Sequence, residues 1–248
     1  MQAQPQLDHA IEAIRVRFGS QALTRAAELP PPPAWRSGTP LDQLTGIGGL
    51  PHGRLSLLVG NGTCGKLTLA LSLLAGATHE FAHPVVIDVS YGFDPQSLLP
   101  FQPASGPLTV VRPPVVDAAG EAASALARAG AGFILLMGEV PEPWLGPLES
   151  GASRSGTVVV GVVDAPSRAF AHASSLSLAF ARAGWIWERE QLIGMRTIAR
   201  CSKNRVAPPV GESELEIFYP PPGCARGRAR VRVRAEVAVG ERAWSAVV

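Results

Sequence analysis

"GRLSLLVGNGTCGKLTLALSLLAGA", residues 53–77, contains the pattern from which we first predict the fold. An apolar run of strand character is followed by a glycine-rich turn and then by an apolar helical segment. In a phosphate-binding loop, glycines let backbone N–H groups converge on anionic oxygens, and a lysine at the following helix N-terminus reaches the terminal phosphates. The stretch provides these groups as Gly60, Gly62, Gly65 and Lys66. It therefore predicts a nucleotide-binding loop between a strand and a helix.

Position 67 departs from this pattern. A phosphate-binding loop places a hydroxyl after its lysine, because that hydroxyl holds the magnesium ion, but here the residue is Leu67. Thr68 follows, and successive residues of a helix are rotated by about 100°. We interpret the segment as a loop descended from a phosphate binder. A glycine-rich turn that binds nothing is the alternative, and residual ATP binding stays open.

The chain around this loop alternates apolar strands with helices. The strand segments are 54–60, 84–90, 108–111, 132–138 and 156–165, and the helical ones are 65–77 and 117–131. Apolar strands separated by helices are typical of a parallel sheet covered on both faces, so we expect an α/β fold. Beyond residue 175 the pattern alternates without helices, which predicts an antiparallel extension of the sheet. Its segments are 175–183, 184–190, 193–203 and 214–220.

The two ends of the chain differ from this core. Residues 1–28 predict an amphipathic helix for interaction or oligomerisation that ends at Gly19. Its apolar positions at helical spacing are Leu7, Ile11, Ile14 and Phe18. The prolines of residues 29–36 predict an extended linker. The core is expected over 37–222, and 223–248 is expected to form an arginine-rich tail or an edge strand.

Composition limits the classes of function. The 46% of apolar and 17% of charged residues support a folded core, and the net charge of +2 is smaller than a dedicated nucleic-acid binder usually carries. Three scattered cysteines suit a reducing compartment, and no targeting segment or membrane-length apolar run is visible. We therefore expect a cytoplasmic protein without a membrane partner. The spacing of its Cys and His residues does not match that of a metal site.

Four separated motifs, in the correct order, resemble the bacterial RecA recombinase family. They are "AIEAIRVRFGSQALTR" (10–25), "SGTPLDQLTGIGGLPHGRLSLLVGNGTCGKLTLAL" (37–71), "VIDVSYGFDP" (86–95), and "KNRVAPP" (203–209) followed by "ELEIFY" (214–219). The resemblance extends to about residue 222. It implies a RecA-like P-loop core with a mostly parallel central sheet extended by antiparallel strands, and an N-terminal helix on an extended arm.

The resemblance also identifies what is missing. The family has a hydroxyl after the loop lysine, a glutamate that orients the attacking water, and an aspartate that holds magnesium through water. The matching positions here are Leu67, Ser90 and Met137. Phosphoryl transfer depends on a positioned metal and an oriented nucleophile, so this pattern predicts a pseudo-ATPase without catalytic residues, metal or cofactor. The competing hypothesis is a weak, DNA-stimulated ATPase that recruits Thr68 and Asp88 for magnesium.

Contact surfaces resemble those of the family more closely. The N-terminal helix packs on the adjacent subunit in RecA filaments, and Lys203 and Arg205 match a basic pair that reaches a neighbour's nucleotide. A solvated turn is the alternative for this pair. The segments that match the two DNA-contacting loops of the family, 139–156 and 164–175, look shortened, and the second contains Arg168.

Two further features bear on binding. In a strand, the tail arginines would lie on one face, where they would bind phosphates or protect an edge. A further alternative is that the segment pairs with a partner's strand by edge addition. These arginines are Arg226, Arg228, Arg230, Arg232 and Arg234. Trp185 and Trp187 share a strand face; we expect them to face the core, and base stacking or partner anchoring are the alternatives.

A short RecA core with a decayed nucleotide site resembles the ImuA-type accessory proteins of bacterial translesion DNA synthesis. This resemblance implies a non-catalytic scaffold in SOS-type mutagenesis. Its implied partners are a Y-family polymerase-like protein and RecA, and binding to copies of itself or to DNA stays open. The alternatives are the weak ATPase of recombination and repair, and a RecA-fold regulator of cell division.

Overall fold

The computed structural model describes residues 3–19, 32–208, 211–220 and 229–237. Its contacts divide the chain into two compact units, 1–31 and 32–248. Along the described residues, no helix combines the length and the apolar character that crossing a bilayer requires.

The first unit contains helix α1, Ala3–Phe18. It ends where the sequence predicts, because Gly19 adopts a left-handed φ of +93° and its N–H donates to the Arg15 carbonyl at 2.8 Å. Of the predicted contact residues, Ile14 and Phe18 are exposed, and Ile11 is half-buried. The side chain of Leu7 lies outside the described residues.

The second unit is organised by two sheets. Its strands are β1 (Ala34–Trp35), β2 (Leu50–Pro51), β3 (Leu55–Val59), β4 (Val85–Asp88), β5 (Thr109–Val111), β6 (Phe133–Met137), β7 (Val158–Val163), β8 (Leu176–Glu188), β9 (Gln191–Asn204), β10 (Glu212–Phe218) and β11 (Arg230–Val237). Strands β1 and β2 form a short antiparallel pair. The remaining nine described strands form one sheet in the order β11-β10-β9-β8-β3-β7-β6-β4-β5.

The direction of the strands confirms the predicted fold class. From β8 to β5 all neighbours in the sheet are parallel, whereas β9, β10 and β11 add antiparallel strands on the β8 side. Among the described residues after position 175 no long helix separates the strands, and each strand lies directly beside the preceding one.

Helices cover both faces of the parallel part. They are α2 (Lys66–Glu80), α3 (Val116–Ala129), α4 (Glu142–Ser155) and α5 (Arg168–Ala173), together with 3₁₀ helices Pro40–Leu44 and Pro95–Phe101. Successive residues of β3 point to opposite faces: Leu58 packs in the core that contains α2, and Leu57 in the core that contains α3 and α4. Both leucines are fully buried.

Helix α4 differs from the expectation of a shortened loop over 139–156. Prolines and glycines conceal its helical pattern, and Pro147 lies inside the helix. The helix forms because Leu145, Leu148 and Ala152 bury an apolar stripe in the core shared with α3. Tertiary packing here outweighs the unfavourable local propensity.

The end of the predicted linker also differs. Residues Ala34–Trp35 form β1, and Trp35 is buried, with its ring centroid 5.3 Å from that of Phe81 and 5.4 Å from that of Phe133. The large apolar indole favours burial over an extended spacer. Residues 29–31 of the predicted linker lie outside the described residues.

The described part of the arginine-rich tail forms the edge strand β11, paired with β10. Arg230 and Arg232 are exposed, whereas Val231 and Val233 are half-buried against the core, as the alternation predicts. Arg226, Arg228 and the side chain of Arg234 lie outside the described residues.

The packing of α3 against α4 generates a stability prediction. A methyl group on Gly120 would lie 2.4 Å from ring atoms of Trp144, whose indole N–H also bonds to Asp117 at 3.1 Å. Gly120→Ala should therefore lower the free energy of unfolding by about 1–2 kcal/mol, because overpacking exceeds the helix-propensity gain. Urea unfolding measures this change.

The control is Gly146, an exposed helical glycine with open space around its Cβ position. Gly146→Ala should change the free energy of unfolding by less than about 0.5 kcal/mol, because the gain in helix propensity is opposed by crowding of the new Cβ against Pro147. Equal effects of the two substitutions would contradict the close contact between Gly120 and Trp144.

Candidate functional site

The glycine-rich loop between β3 and α2 has a shape that requires its glycines. Gly62 and Gly65 have left-handed φ values of +56° and +88°. A Cβ on Gly60 would lie 2.5 Å from the Phe180 carbonyl oxygen, and one on Gly65 would lie 2.5 Å from Ile217 Cδ1. The loop is therefore closely packed against the antiparallel part of the sheet.

A hydrogen bond ties the loop to β9. Thr197 is fully buried, and its hydroxyl lies 2.7 Å from the Cys64 carbonyl oxygen and 3.1 Å from that of Ala181. Cys64 is itself buried beneath the loop, which fits a small residue that fills the turn.

Above the loop lies a cavity of about 650 Å³. It lies at the carboxyl ends of the parallel strands β4, β6 and β7, where ligand sites of open α/β sheets are found. Residues of the loop and of these strand ends line it, and Met195 and Tyr219 close the side next to the antiparallel strands.

The structure brings together most of the predicted nucleotide-site residues. Those lining the cavity are Gly62, Gly65, Lys66, Leu67, Thr68, Ser90 and Met137. The three positions where the resemblance implies missing catalytic groups, Leu67, Ser90 and Met137, thus belong to one site. Leu67 and Met137 present carbon and sulfur atoms there, and the Ser90 hydroxyl donates to Asp88 at 3.3 Å.

Lys66 is turned back onto its own loop. Its side chain is only 10% exposed, and the ammonium group donates to the Gly60 carbonyl and to Asp164 Oδ1. Asp164 is not among the site residues predicted from the sequence. Its position directly after the buried strand β7 is the signal that would have identified it, because the carboxyl ends of parallel strands meet at one edge. Glu139, which follows β6, was missed for the same reason.

Asp88 has a structural role. Its buried carboxylate accepts hydrogen bonds from the Gly92 N–H at 3.0 Å, the Phe93 N–H at 3.0 Å and the Arg112 guanidinium at 3.2 Å. Arg112 also donates to the Phe93 carbonyl at 2.7 Å. These bonds fix the turn that follows β4.

The competing magnesium hypothesis needs Thr68 and Asp88 at one point. Thr68 lines the cavity, but Asp88 is not among the residues described as lining it. The Asp88 carboxylate is instead bonded within the turn after β4.

Tyr219 adds a polar group to the cavity wall. Burial raises the pKa of its phenol, and the nearby charge of Arg182 opposes this shift. The hydroxyl therefore stays protonated at neutral pH and is available as a hydrogen-bond donor.

Lys203 bonds within the chain. Its ammonium group donates to the carbonyls of Ala171 at 2.5 Å and His172 at 2.9 Å, which end α5. Burial lowers the pKa of Lys203, and the neighbouring charge of Arg205 adds to this effect. Arg205 is exposed, with its guanidinium 3.4 Å from His172 Nδ1.

The residues predicted for DNA contact lie on separate elements. Arg168 is exposed at the start of α5, whereas Arg230 and Arg232 lie on the edge strand β11. Strands β9 and β10 lie between β11 and β8, the strand that follows α5. The described arginines therefore do not form one row.

The expectation that Trp185 and Trp187 face the core is wrong. They are 36% and 61% exposed. β3 pairs with β8 only as far as Ala179, so the later part of β8 extends beyond the layered core. The Arg182 guanidinium lies 4.8 Å from the Trp185 ring centroid in a cation–π contact. Across the residues that the structure describes, no three His, Cys, Asp or Glu side chains form a metal-binding group.

Comparison with known proteins gives a consistent result. Residues 5–141 match the RecA N-terminal domain. In alignments that are 257 residues long, the chain is 27% identical to Protein RecA of Chlorobium limicola and 28% identical to that of Chlorobaculum tepidum. Both matches cover 86% of this chain, and they cover 73% and 74% of the relatives. A match to Protein RecA of Gluconobacter oxydans has 27% identity over 255 residues.

The bonding of Asp88 generates a prediction that separates a structural role from a metal-binding one. Asp88→Asn should lower the free energy of unfolding by about 2 kcal/mol, because buried N–H donors lose a charged acceptor. Urea unfolding with and without MgCl₂ should give the same decrease.

Asp94→Asn is the control, since this exposed carboxylate caps a 3₁₀ helix and asparagine caps nearly as well. It should change stability by less than about 0.5 kcal/mol. Unchanged stability of Asp88→Asn, with loss of a stabilisation that needs ATP and Mg²⁺ together, would assign Asp88 to a metal instead.

Proposed function

The chain belongs to the RecA family, and from this premise we propose that it is a non-hydrolysing accessory protein in DNA-damage tolerance. The observation that carries the proposal is the convergence of Leu67, Ser90 and Met137 on one cavity beside Lys66. A RecA core with this cavity would serve as a scaffold for other proteins.

The chemistry of the cavity supports the absence of hydrolysis. Magnesium prefers oxygen ligands, and neither Leu67 nor Met137 has an oxygen in its side chain. A serine hydroxyl is also a poor substitute for a glutamate that orients water, and Ser90 already donates to Asp88.

Two carboxylates do line the cavity, and each has a partner. Glu139 accepts the Ser167 N–H at 2.7 Å, and Asp164 accepts from Lys66. Neither follows the loop lysine or stands at the positions where the resemblance implies the catalytic groups. This arrangement supports a site that keeps the shape of a nucleotide-binding loop but does not hold magnesium.

Exposed apolar groups support a role in protein binding. In α1, Val16 and Phe18 are 80% and 67% exposed. On the β8–β9 hairpin, Trp185, Trp187 and Leu192 are exposed as well. Large exposed aromatic side chains are common anchors in protein interfaces.

The proposed partners follow from the resemblance to ImuA-type accessory proteins. They are a Y-family polymerase-like protein and RecA, and copies of this chain are a further candidate. DNA binding is a separate part of the proposal, supported by the exposed Arg168, Arg230 and Arg232. We expect the protein to act in the cytoplasm.

The first test is hydrolysis. Purified protein with ATP and Mg²⁺ should release phosphate at the background rate, with or without single-stranded DNA, and Lys66→Ala should give the same rate. RecA serves as the positive control. Hydrolysis above the background rate, with or without DNA, that Lys66→Ala abolishes would overturn the proposal in favour of the weak ATPase.

The second test concerns the scaffold. Replacing Ile14 and Phe18 together by alanine should weaken binding to purified RecA or to the polymerase-like partner by about tenfold or more, because buried apolar anchors dominate interfaces. Surface plasmon resonance measures the affinity, and circular dichroism checks that α1 stays helical.

Glu12→Ala is the matched control, since Glu12 is an exposed polar residue of the same helix. It should leave both affinities nearly unchanged. If the unmodified chain bound neither protein, the scaffold proposal would be contradicted. A regulator of cell division would then be the alternative hypothesis to test.

A further inference from the structure

We propose that Asp164 determines what the loop cavity admits: its carboxylate replaces a phosphate as the counter-ion of Lys66, and the cavity therefore excludes nucleoside polyphosphates. This inference deepens the proposed function, because it adds a reason why ATP would not bind to the reason why it would not be hydrolysed. It concerns ligand selection and makes Asp164 a specificity-determining residue.

The bonding of Lys66 is the first argument. An ammonium group has three N–H donors, and two of them bond to the Gly60 carbonyl and the Asp164 carboxylate. The Lys66 side chain is 10% exposed and that of Asp164 is 70% exposed. The lysine is thus enclosed, and its negative partner lies on the solvent side, from which a ligand would approach.

The position of Asp164 is determined by the backbone. Val59 is in parallel register with Val163, and the Gly60 N–H donates to the Val163 carbonyl at 3.3 Å. The residue after Val163 must therefore lie beside the residues that begin the loop. Sheet pairing, rather than a chance side-chain rotamer, brings the carboxylate to the lysine.

The charges of the cavity are the second argument. Among the described residues that line it, Lys66 carries the one positive charge, and Glu139 and Asp164 carry negative charges. A phosphate-binding loop works because its lysine and its helix N-terminus are available to anions. Here Asp164 neutralises the lysine, and a polyphosphate would have to displace this carboxylate to reach Lys66, so its entry is unfavourable.

The α2 N-terminus keeps its own attraction for anions. Gly65 is the N-cap residue and contributes no side-chain bond, so the first-turn N–H groups of the helix retain an attraction for anions. That attraction remains after Asp164 is neutralised. Removing the Asp164 charge should therefore restore anion binding by the loop.

The experiment is titration calorimetry of the full chain with sodium tripolyphosphate, and then with ATP, at low ionic strength and without Mg²⁺. Asp164→Asn should bind both at least about tenfold more tightly than the unmodified chain, because a freed lysine gains a charged hydrogen bond. Adding Lys66→Ala to Asp164→Asn should abolish the gain. Since Asp164 is exposed, the variant should fold, and circular dichroism checks this.

Glu139→Gln is the matched control. It removes the same charge from the same cavity, but the partner of Glu139 is the Ser167 N–H and not Lys66. It should change the affinity by less than about threefold, as expected for a charge that bonds elsewhere.

Three results would overturn the inference. They are equal affinities of the unmodified chain and Asp164→Asn, including no measurable binding by either; a gain that survives the loss of Lys66; and an equally large gain from Glu139→Gln. A fourth result, tight ATP binding by the unmodified chain without hydrolysis, would refute this inference alone, whereas hydrolysis would refute both the inference and the proposed function.

Discussion

The parallel pairing of β3 with its two neighbours determines where the glycine-rich loop, the cavity and the Lys66–Asp164 ion pair lie. Val59 lies in register with Val163 of β7 on one side and with Ala179 of β8 on the other. Because β3 and β7 end together and β8 continues past them, the loop after β3, Asp164 after β7 and the extended part of β8 are placed side by side. Both the cavity and its ion pair follow from this register.

The same constraint explains how a nucleotide loop keeps its shape without its chemistry. Gly60 has no room for a side chain beside Phe180, and Gly65 has none beside Ile217. The Thr197 hydroxyl holds the loop from beneath. These contacts come from the antiparallel strands and are independent of any bound phosphate. A core that retains them can lose the metal-binding oxygens and remain a stable platform for other proteins.

Much of the architecture could be predicted from the sequence, because the spacing of apolar residues indicates whether a segment is a buried strand or a helix with one buried face. The predictions failed where distant contacts decide. Pro147 argues locally against a helix, yet α4 forms because its leucines pack in the core shared with α3. Trp185 and Trp187 look like core residues by composition, yet they are exposed because that part of β8 extends past the end of β3, beyond the layered core.

Residue type and spacing were enough to predict the family, the strand-loop-helix unit around Lys66 and the lack of metal-binding side chains at positions 67 and 137. These properties are local, since they depend on residue type and spacing along the chain. Only the tertiary structure decided that Asp88 anchors a turn and that Asp164 is the partner of Lys66. Lys66 and Asp164 are 98 positions apart in the chain, and only the register of a parallel sheet brings their charges together.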